Sequence, residues 1–175
     1  MLLKKNRKLY IASDKRGIKK GVARDGYQKI HRLSEDLYFG MTGIYEAGLE
    51  FFNFIKKYAT NDKYRLINNI NKSFDSFFEV GAKPEKLAIV IAGRDNNGGF
   101  FIWQRNIQGK DSLLEGSTKK IDFAISANDR IEIFSRQLEE LIGLGLNVKD
   151  AIIKTIEYAS EIDSTISKEH DLYEI

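Results

Sequence analysis

The strongest constraint on the fold is the order in which two hydrophobic periods occur along the chain. Apolar runs and alternating apolar–polar runs are typical of strands, whereas apolar residues spaced three and four apart indicate amphipathic helices. Here the order is strands, two helices, strands, two helices. Paired helices do not fit the single crossovers of a doubly wound parallel sheet. The order therefore predicts an α+β fold with two antiparallel sheets between helix pairs, a four-layer αββα sandwich. A one-sheet α+β domain is the competing prediction.

The first half of the chain predicts three strands, a loop and one helix pair. The strands fall at residues 8–13, 27–33 and 36–41, the loop at 17–26, and the helices at about 44–59 and 63–80. The loop is inferred from glycines and lysines without apolar alternation. The helices carry more phenylalanines than one apolar face needs. These rings either form a subunit contact or are covered within the monomer, and the pattern leaves both possibilities open.

The second half predicts further strands followed by a second helix pair. The strands fall at residues 86–93, 100–105 and 120–126, and the helices at about 128–144 and 148–162. Two glycines after two asparagines, at 96–99, are typical of a tight hairpin turn. Asn128 and Asn147 each precede a helical pattern, where an asparagine side chain can cap the first turn.

Length and composition exclude several classes of protein. A chain of 175 residues predicts one domain spanning 1–175. Because there is no cysteine, disulfides, thiolate metal sites and cysteine nucleophiles are excluded, and a reducing cytoplasm is the expected location. No apolar run approaches the length of a membrane span, so we expect no contact with a membrane. Lys4 and Lys5 directly follow Leu2 and Leu3, which does not fit a secretory signal.

The net charge of +3 is unevenly distributed. Residues 1–32 contain 11 Lys and Arg against two acids, a local charge of +9, whereas the remaining residues contain 17 against 23, or −6. Such asymmetry occurs on nucleic-acid-binding surfaces. No stacking aromatic motif or recognition helix accompanies it here, which favours solvated strand ends and loops instead. We therefore expect no nucleic-acid partner.

Conventional motifs of catalysis and cofactor binding are missing. The sequence has no Walker loop, no GxGxxG after a strand, no HExxH and no GxSxG. His31 and His170 are the only histidines, and His31 alternates along a predicted strand. Asp95, with two asparagines after it, is more typical of a turn than of a calcium loop. No metal or cofactor is expected.

Several short motifs, in order, resemble the proteasome β-type family and its bacterial two-component relative. They are LYIASDKR at 9–16, QKIHRL at 28–33, YFGMTG at 38–43, the runs 87–95 and 100–103, FAISA at 123–127 and the last helix at 148–161. The resemblance covers essentially the whole chain. It implies an N-terminal-nucleophile hydrolase with the four-layer fold inferred above.

The resemblance also implies a site. In this family an N-terminal threonine hydroxyl attacks the peptide carbonyl and its own α-amine acts as the base. By resemblance, Lys29 takes the place of the family's lysine, Asp14 that of the aspartate which holds it, and Gly43 that of the glycine which stabilises the oxyanion. Each also has a structural explanation: Asp14 ends a strand, Lys29 is a solvated strand residue, and Gly43 relieves crowding before a helix.

The sequence departs from the family at the reacting atom. When the motifs are aligned with those of the family, this sequence starts about three residues after the family's N-terminal threonine, so the threonine has no counterpart. Trimming Met1 would expose Leu2, which has no hydroxyl. Ala127 stands at the position where the family has a supporting serine, although the neighbouring Ser126 carries a hydroxyl. Glu161 stands at the position of the family's second aspartate, next to Ser160.

Two functions follow from the resemblance. The first is a non-catalytic, proteasome-like pseudoenzyme, a ring-forming or peptide-binding subunit. The second is a threonine-type endopeptidase whose true N-terminal Thr or Ser lies just upstream of Met1. Family members form homo-oligomeric rings, so the implied partners are other copies of the chain, an unfolded-peptide substrate and an unfoldase.

Overall fold

The chain consists of two compact units. The computed structural model describes residues 2–5, 8–19, 22–79, 84–115, 122–124 and 130–175. One unit, the terminal unit, combines Met1–Lys29 with Lys119–Ile175, and the other, the central unit, is Ile30–Thr118. The single domain over residues 1–175 stays a prediction.

The described residues form strands and helices in the expected alternation. In chain order they are β1 (Leu2–Lys5), β2 (Lys8–Asp14), β3 (Gly17–Lys19), β4 (Val22–Arg24), β5 (Ile30–Ser34), β6 (Leu37–Gly43), α1 (Tyr45–Ile55), a 3-10 turn (Lys56–Tyr58), α2 (Lys63–Glu79), β7 (Leu87–Arg94), β8 (Phe100–Asn106), β9 (Asp111–Glu115), β10 (Asp122–Ala124), α3 (Ile131–Gly143), α4 (Val148–Ile162) and β11 (His170–Glu174).

The terminal unit contains a four-stranded sheet and one helix pair. The strand order is β10-β1-β2-β11, and every pair is antiparallel. Alternate residues of β2 lie on opposite faces of the sheet. Tyr10 and Ala12, on one face, join a core with residues of the two helices, Leu138, Val148, Ala151, Ile152 and Ile156. Apolar burial against α3 and α4 therefore holds β2, and with it the site described below.

The central unit contains a five-stranded sheet and the other helix pair. The strand order is β5-β6-β7-β8-β9, again antiparallel throughout. Alternate residues of β6 and β7 are buried together with the apolar sides of α1 and α2. The helix phenylalanines lie in this core: Phe51, Phe52, Phe74 and Phe78 are buried and Phe54 and Phe77 pack against them. Packing within this unit accounts for their number, which favours the monomer explanation.

The α+β class and the antiparallel sheets are confirmed, while the order of the layers stays a prediction. His31 is a half-buried strand residue whose ring stacks on Phe52 at 4.6 Å. Asp95 is a turn residue: it accepts hydrogen bonds from the backbone of Asn97 and Gly99 and from Lys63. No helix in the described ranges is long and apolar enough to cross a bilayer.

Several local expectations are corrected. The stretch 17–26 is not simply a loop, because β3 and β4 pair there as an antiparallel ribbon. Asn128 lies outside the described residues. Arg130 occupies the cap position of α3 and makes no side-chain capping bond. Asn147 caps α4 as predicted, accepting from the backbone N–H of Asp150.

Of the strand predicted at 120–126, the described part is β10. Strands β1, β9 and β11 were not predicted.

Candidate functional site

The centre of the candidate site is an ion pair between Asp14 and Lys29. Asp14 is the last residue of β2, and Lys29 directly precedes β5. Lys29 Nζ lies 2.8 Å from Asp14 Oδ2, and the two side chains are only 18% and 17% exposed. Two residues 15 positions apart in the sequence, both expected at the site from the family resemblance, are therefore in direct contact.

Backbone donors hold the second oxygen of the same carboxylate. Asp14 Oδ1 accepts from the N–H of Arg16 at 2.8 Å and more weakly from the N–H of Ser167 at 3.4 Å. A carboxylate with an ammonium on one oxygen and amide donors on the other is fixed in orientation. This arrangement in turn positions the Lys29 side chain beside the end of β2.

Arg16 anchors the loop that follows α4. Its guanidinium binds both oxygens of Asp25, at 2.7 and 2.9 Å, and Nη1 donates to the carbonyls of Ser164 and Ile166, at 3.0 and 3.2 Å. The hydrogen bonds from Arg16 lower the pKa of Asp25. Ser167 directly follows this anchored segment. The hydrogen bonds of Arg16 to Ser164 and Ile166 therefore also position the N–H of Ser167, which donates to Asp14.

Ser167 is a site residue that was not predicted from the sequence. It is almost completely buried, its Oγ accepts from the N–H of Glu169 at 3.0 Å, and it hydrogen-bonds to Asp25. A single serine in a polar loop gives no periodic or motif signal.

Gly43 lies in the central unit, where the end of β6 demands a glycine. Its φ is +102°, and a Cβ would lie 2.3 Å from the carbonyl oxygen of Lys86. The N–H of Ile44 donates to that same oxygen. Along an antiparallel strand, successive N–H groups point to opposite sides, so the N–H of Gly43 points away from β7. It lies on the side of β5, past Gly40, whose pairing with Ile30 is the last of the β5–β6 ladder. This orientation suits an oxyanion donor.

The structure does not bring Glu161 to the ion pair. Glu161 lies in the last turn of α4, its side chain is 62% exposed, and its recorded partner is Lys168 at 3.4 Å. The adjacent Ser160 hydroxyl donates to the carbonyl of Glu157 within the helix. Ser126 and Ala127 lie outside the described residues. Within the described ranges, no group of three or more His, Cys, Asp or Glu residues is placed to hold a metal ion.

Comparison with solved structures identifies the fold. HslV from Trypanosoma brucei aligns with a TM-score of 0.67 and 11% identity over 99% of this chain and 97% of its own. Anbu from Yersinia bercovieri aligns at 0.74 and 11% over 99% and 79%. The Thiobacillus denitrificans protein BPH, solved in complex with epoxomicin, aligns at 0.70 and 14% over 99% and 96%. No family model and no curated protein matches the sequence.

The chain therefore has the proteasome-like N-terminal-nucleophile-hydrolase fold. At 11–14% identity the likeness establishes the fold alone. What its own residues add is a partly buried, oriented ion pair at the end of β2 and a glycine-only position at the end of β6.

Proposed function

We propose that this chain is a proteasome-like subunit that keeps the charged pair of the fold's catalytic site but supplies no nucleophile to it. It then acts by assembly and peptide binding rather than by cleavage. The environment of Lys29 carries the proposal: among the described residues, its Nζ is hydrogen-bonded to Asp14 and to no serine or threonine hydroxyl. A lysine that activates a hydroxyl must lie within hydrogen-bond reach of it.

The register of β1 against β2 favours a second candidate, a threonine-type endopeptidase. Leu3 lies opposite Tyr10 and Leu2 opposite Ile11, so the pairing moves along β2 towards Asp14 as β1 is followed towards its start. If a natural N-terminus lay a few residues before Met1 and the strand continued in this register, it would run beside Asp14. A threonine there would place its hydroxyl and α-amine next to the ion pair, which is already oriented.

Peptide hydrolysis by the protein purified from its natural source, together with its intact mass, separates the two candidates. If the mass corresponds to a chain beginning at Met1, we expect no turnover of fluorogenic peptides and no mass shift with epoxomicin. Turnover that the Lys29→Ala substitution abolishes would overturn the non-catalytic proposal. An intact mass that includes an upstream threonine, combined with turnover, would establish the peptidase.

A gain-of-function experiment tests whether the scaffold is competent. The chain is extended to begin Thr-Ala-Ala before Met1, with the new N-terminus released by a site-specific protease, and the matched control begins Ala-Ala-Ala. Turnover by the threonine form alone would show that only the nucleophile was missing. If neither form has activity, the non-catalytic proposal is supported over the second candidate.

The proposal extends to assembly and location. We propose that copies of the chain form a homo-oligomeric ring in the cytoplasm, with unfolded peptides as ligands and an unfoldase as partner. The fold supports this, and the absence of cysteine is consistent with a reducing compartment. Light scattering coupled to size-exclusion chromatography tests the ring, because a monomer at working concentration would rule it out.

A further inference from the structure

The turn between β7 and β8 contains the single Asn-Gly pair of the sequence, Asn97 followed by Gly98. Both residues are exposed. Gly98 has a φ of +73°, and a Cβ added to it would meet no described atom within 4 Å. Because glycine has no side chain, its backbone nitrogen is the least hindered that can follow an asparagine. The turn thus places an accessible side-chain amide next to an unhindered backbone nitrogen.

These two groups can react with each other and then with water. The Gly98 nitrogen, once deprotonated, attacks the side-chain carbonyl carbon of Asn97. A new C–N bond forms, and the bond to the side-chain nitrogen breaks as ammonia leaves, which produces a five-membered succinimide. Water then opens the ring at either carbonyl and leaves an aspartate or an isoaspartate. In both products an amide has become a carboxylate, and the reaction consumes only water.

The buried carboxylate of Asp95 holds the turn in a conformation that opposes this reaction. The N–H of Gly98 donates to the Asp95 carbonyl at 2.9 Å, so the attacking nitrogen is already engaged. Asp95 Oδ1 accepts from the N–H groups of Asn97 and Gly99, each at 2.9 Å. Lys63 Nζ binds Oδ2 at 2.8 Å, and hydrogen bonds from Lys63 and from the two amides lower the pKa of Asp95. The turn must open before the nitrogen can reach the side chain.

We infer that Asn97 is a site of spontaneous deamidation and that Asp95 sets its rate. The rate equals that of an open Asn-Gly sequence multiplied by the fraction of time that the turn is open. Other exposed asparagines are protected: Asn53 and Asn68 lie within α1 and α2 and precede larger residues. The product puts a second carboxylate beside Asp95, and isoaspartate also lengthens the main chain. The inference does not depend on the proposed function.

Peptide mapping of the purified chain tests the site. The chain is incubated in mildly alkaline buffer, digested with trypsin and analysed by mass spectrometry, and a sample taken before incubation corrects for conversion during digestion. We expect conversion in peptide 95–105, located at Asn97 by fragmentation, and none at Asn53 or Asn68. The control Asn97→Gln should stay unconverted. If the folded chain is unchanged when a synthetic peptide of residues 95–105 is fully converted, the inference is overturned.

Variants of Asp95 test control by its carboxylate. Asp95→Ala removes both amide bonds of Oδ1, so Asn97 should convert about tenfold faster or more. Asp95→Asn keeps an oxygen acceptor without its charge and should lie between Asp95→Ala and the native chain. Fluorescence of the buried Trp103, on β8, shows whether each variant is folded. If Asp95→Ala does not fold, Asp95→Asn carries the comparison. Equal rates in the native chain and in every folded variant would overturn the role of Asp95.

Discussion

At the scale of single residues, Gly43 provides the sharpest test of local geometry. We expect Gly43→Ala to destabilise the chain by roughly 2–4 kcal/mol, because it adds a clash with the Lys86 carbonyl to the cost of a positive φ. Gly26 is the matched control: its φ is +94°, but nothing lies within 4 Å of an added Cβ. Gly26→Ala should cost only about 1 kcal/mol. Urea unfolding of both variants measures the difference, and equal losses would contradict the backbone contact.

The Asp14–Lys29 pair is the second test at this scale. Lys29→Met should cost about 1–3 kcal/mol, because it removes a charge-assisted hydrogen bond and leaves a largely buried carboxylate with backbone donors only. A double-mutant cycle with Asp14→Asn should give a clear coupling energy. The control is Lys168→Met, whose ion pair with Glu161 is exposed and should contribute close to nothing. Zero coupling between positions 14 and 29 would show that the pair does not form in solution.

How far the sequence predicts this site depends on the kind of signal each residue leaves. Asp14 and Lys29 stand in short motifs next to strands, so the family register identifies them and the structure shows them in contact. Ser167 reaches Asp25 because its loop is anchored by Arg16, which bonds to Ile166 in that loop although the two residues are 150 positions apart in the sequence. A contact of that kind depends on tertiary packing, so neither local propensity nor periodicity reports it.

At the scale of elements, the cap of α4 is a direct test of a residue predicted from sequence. Asn147 Oδ1 accepts from the N–H of Asp150 at 3.0 Å. Asn147→Ala should therefore cost about 1 kcal/mol, whereas Asn147→Ser keeps an acceptor and should cost less. Thermal unfolding followed by circular dichroism compares the two. If both variants lose the same stability, the capping bond is not the source of the effect.

The end of β11 predicts a dependence of stability on pH. Hydrogen bonds from Lys149 on α4 and Lys8 on β2 lower the pKa of Glu174 from 4.5 to about 2. A carboxylate whose pKa falls on folding stabilises the folded state above its unfolded pKa and loses that contribution as the pH falls through the folded value. The melting temperature of the native chain should therefore approach that of Glu174→Gln between pH 4.5 and about 2. High salt should reduce the difference at neutral pH, because the groups are exposed.

The same scale shows where pattern reasoning stops. The helix pair predicted at about 44–59 and 63–80 is found as α1 with its 3-10 turn and α2, because apolar spacing and burial agree there. The ribbon of β3 and β4 has no buried side to impose alternation, since its described side chains in Val22–Arg24 are all exposed. Strand β11 is polar along most of its length and is defined by its register against β2. Strands held by pairing rather than by burial leave little periodic signal.

At the scale of the whole molecule, a single domain means that the two units unfold together. The terminal unit is made of two segments joined through the central unit, so unfolding the central unit alone would leave residues 30–118 as a closed loop. Holding a loop of that length shut costs about 4 kcal/mol. We therefore expect one cooperative transition. Trp103, the only tryptophan, is buried in the central unit and reports on it by fluorescence, while hydrogen exchange of β2 and α4 reports on the terminal unit. Coincident midpoints in guanidinium support one domain, and separate midpoints would show two.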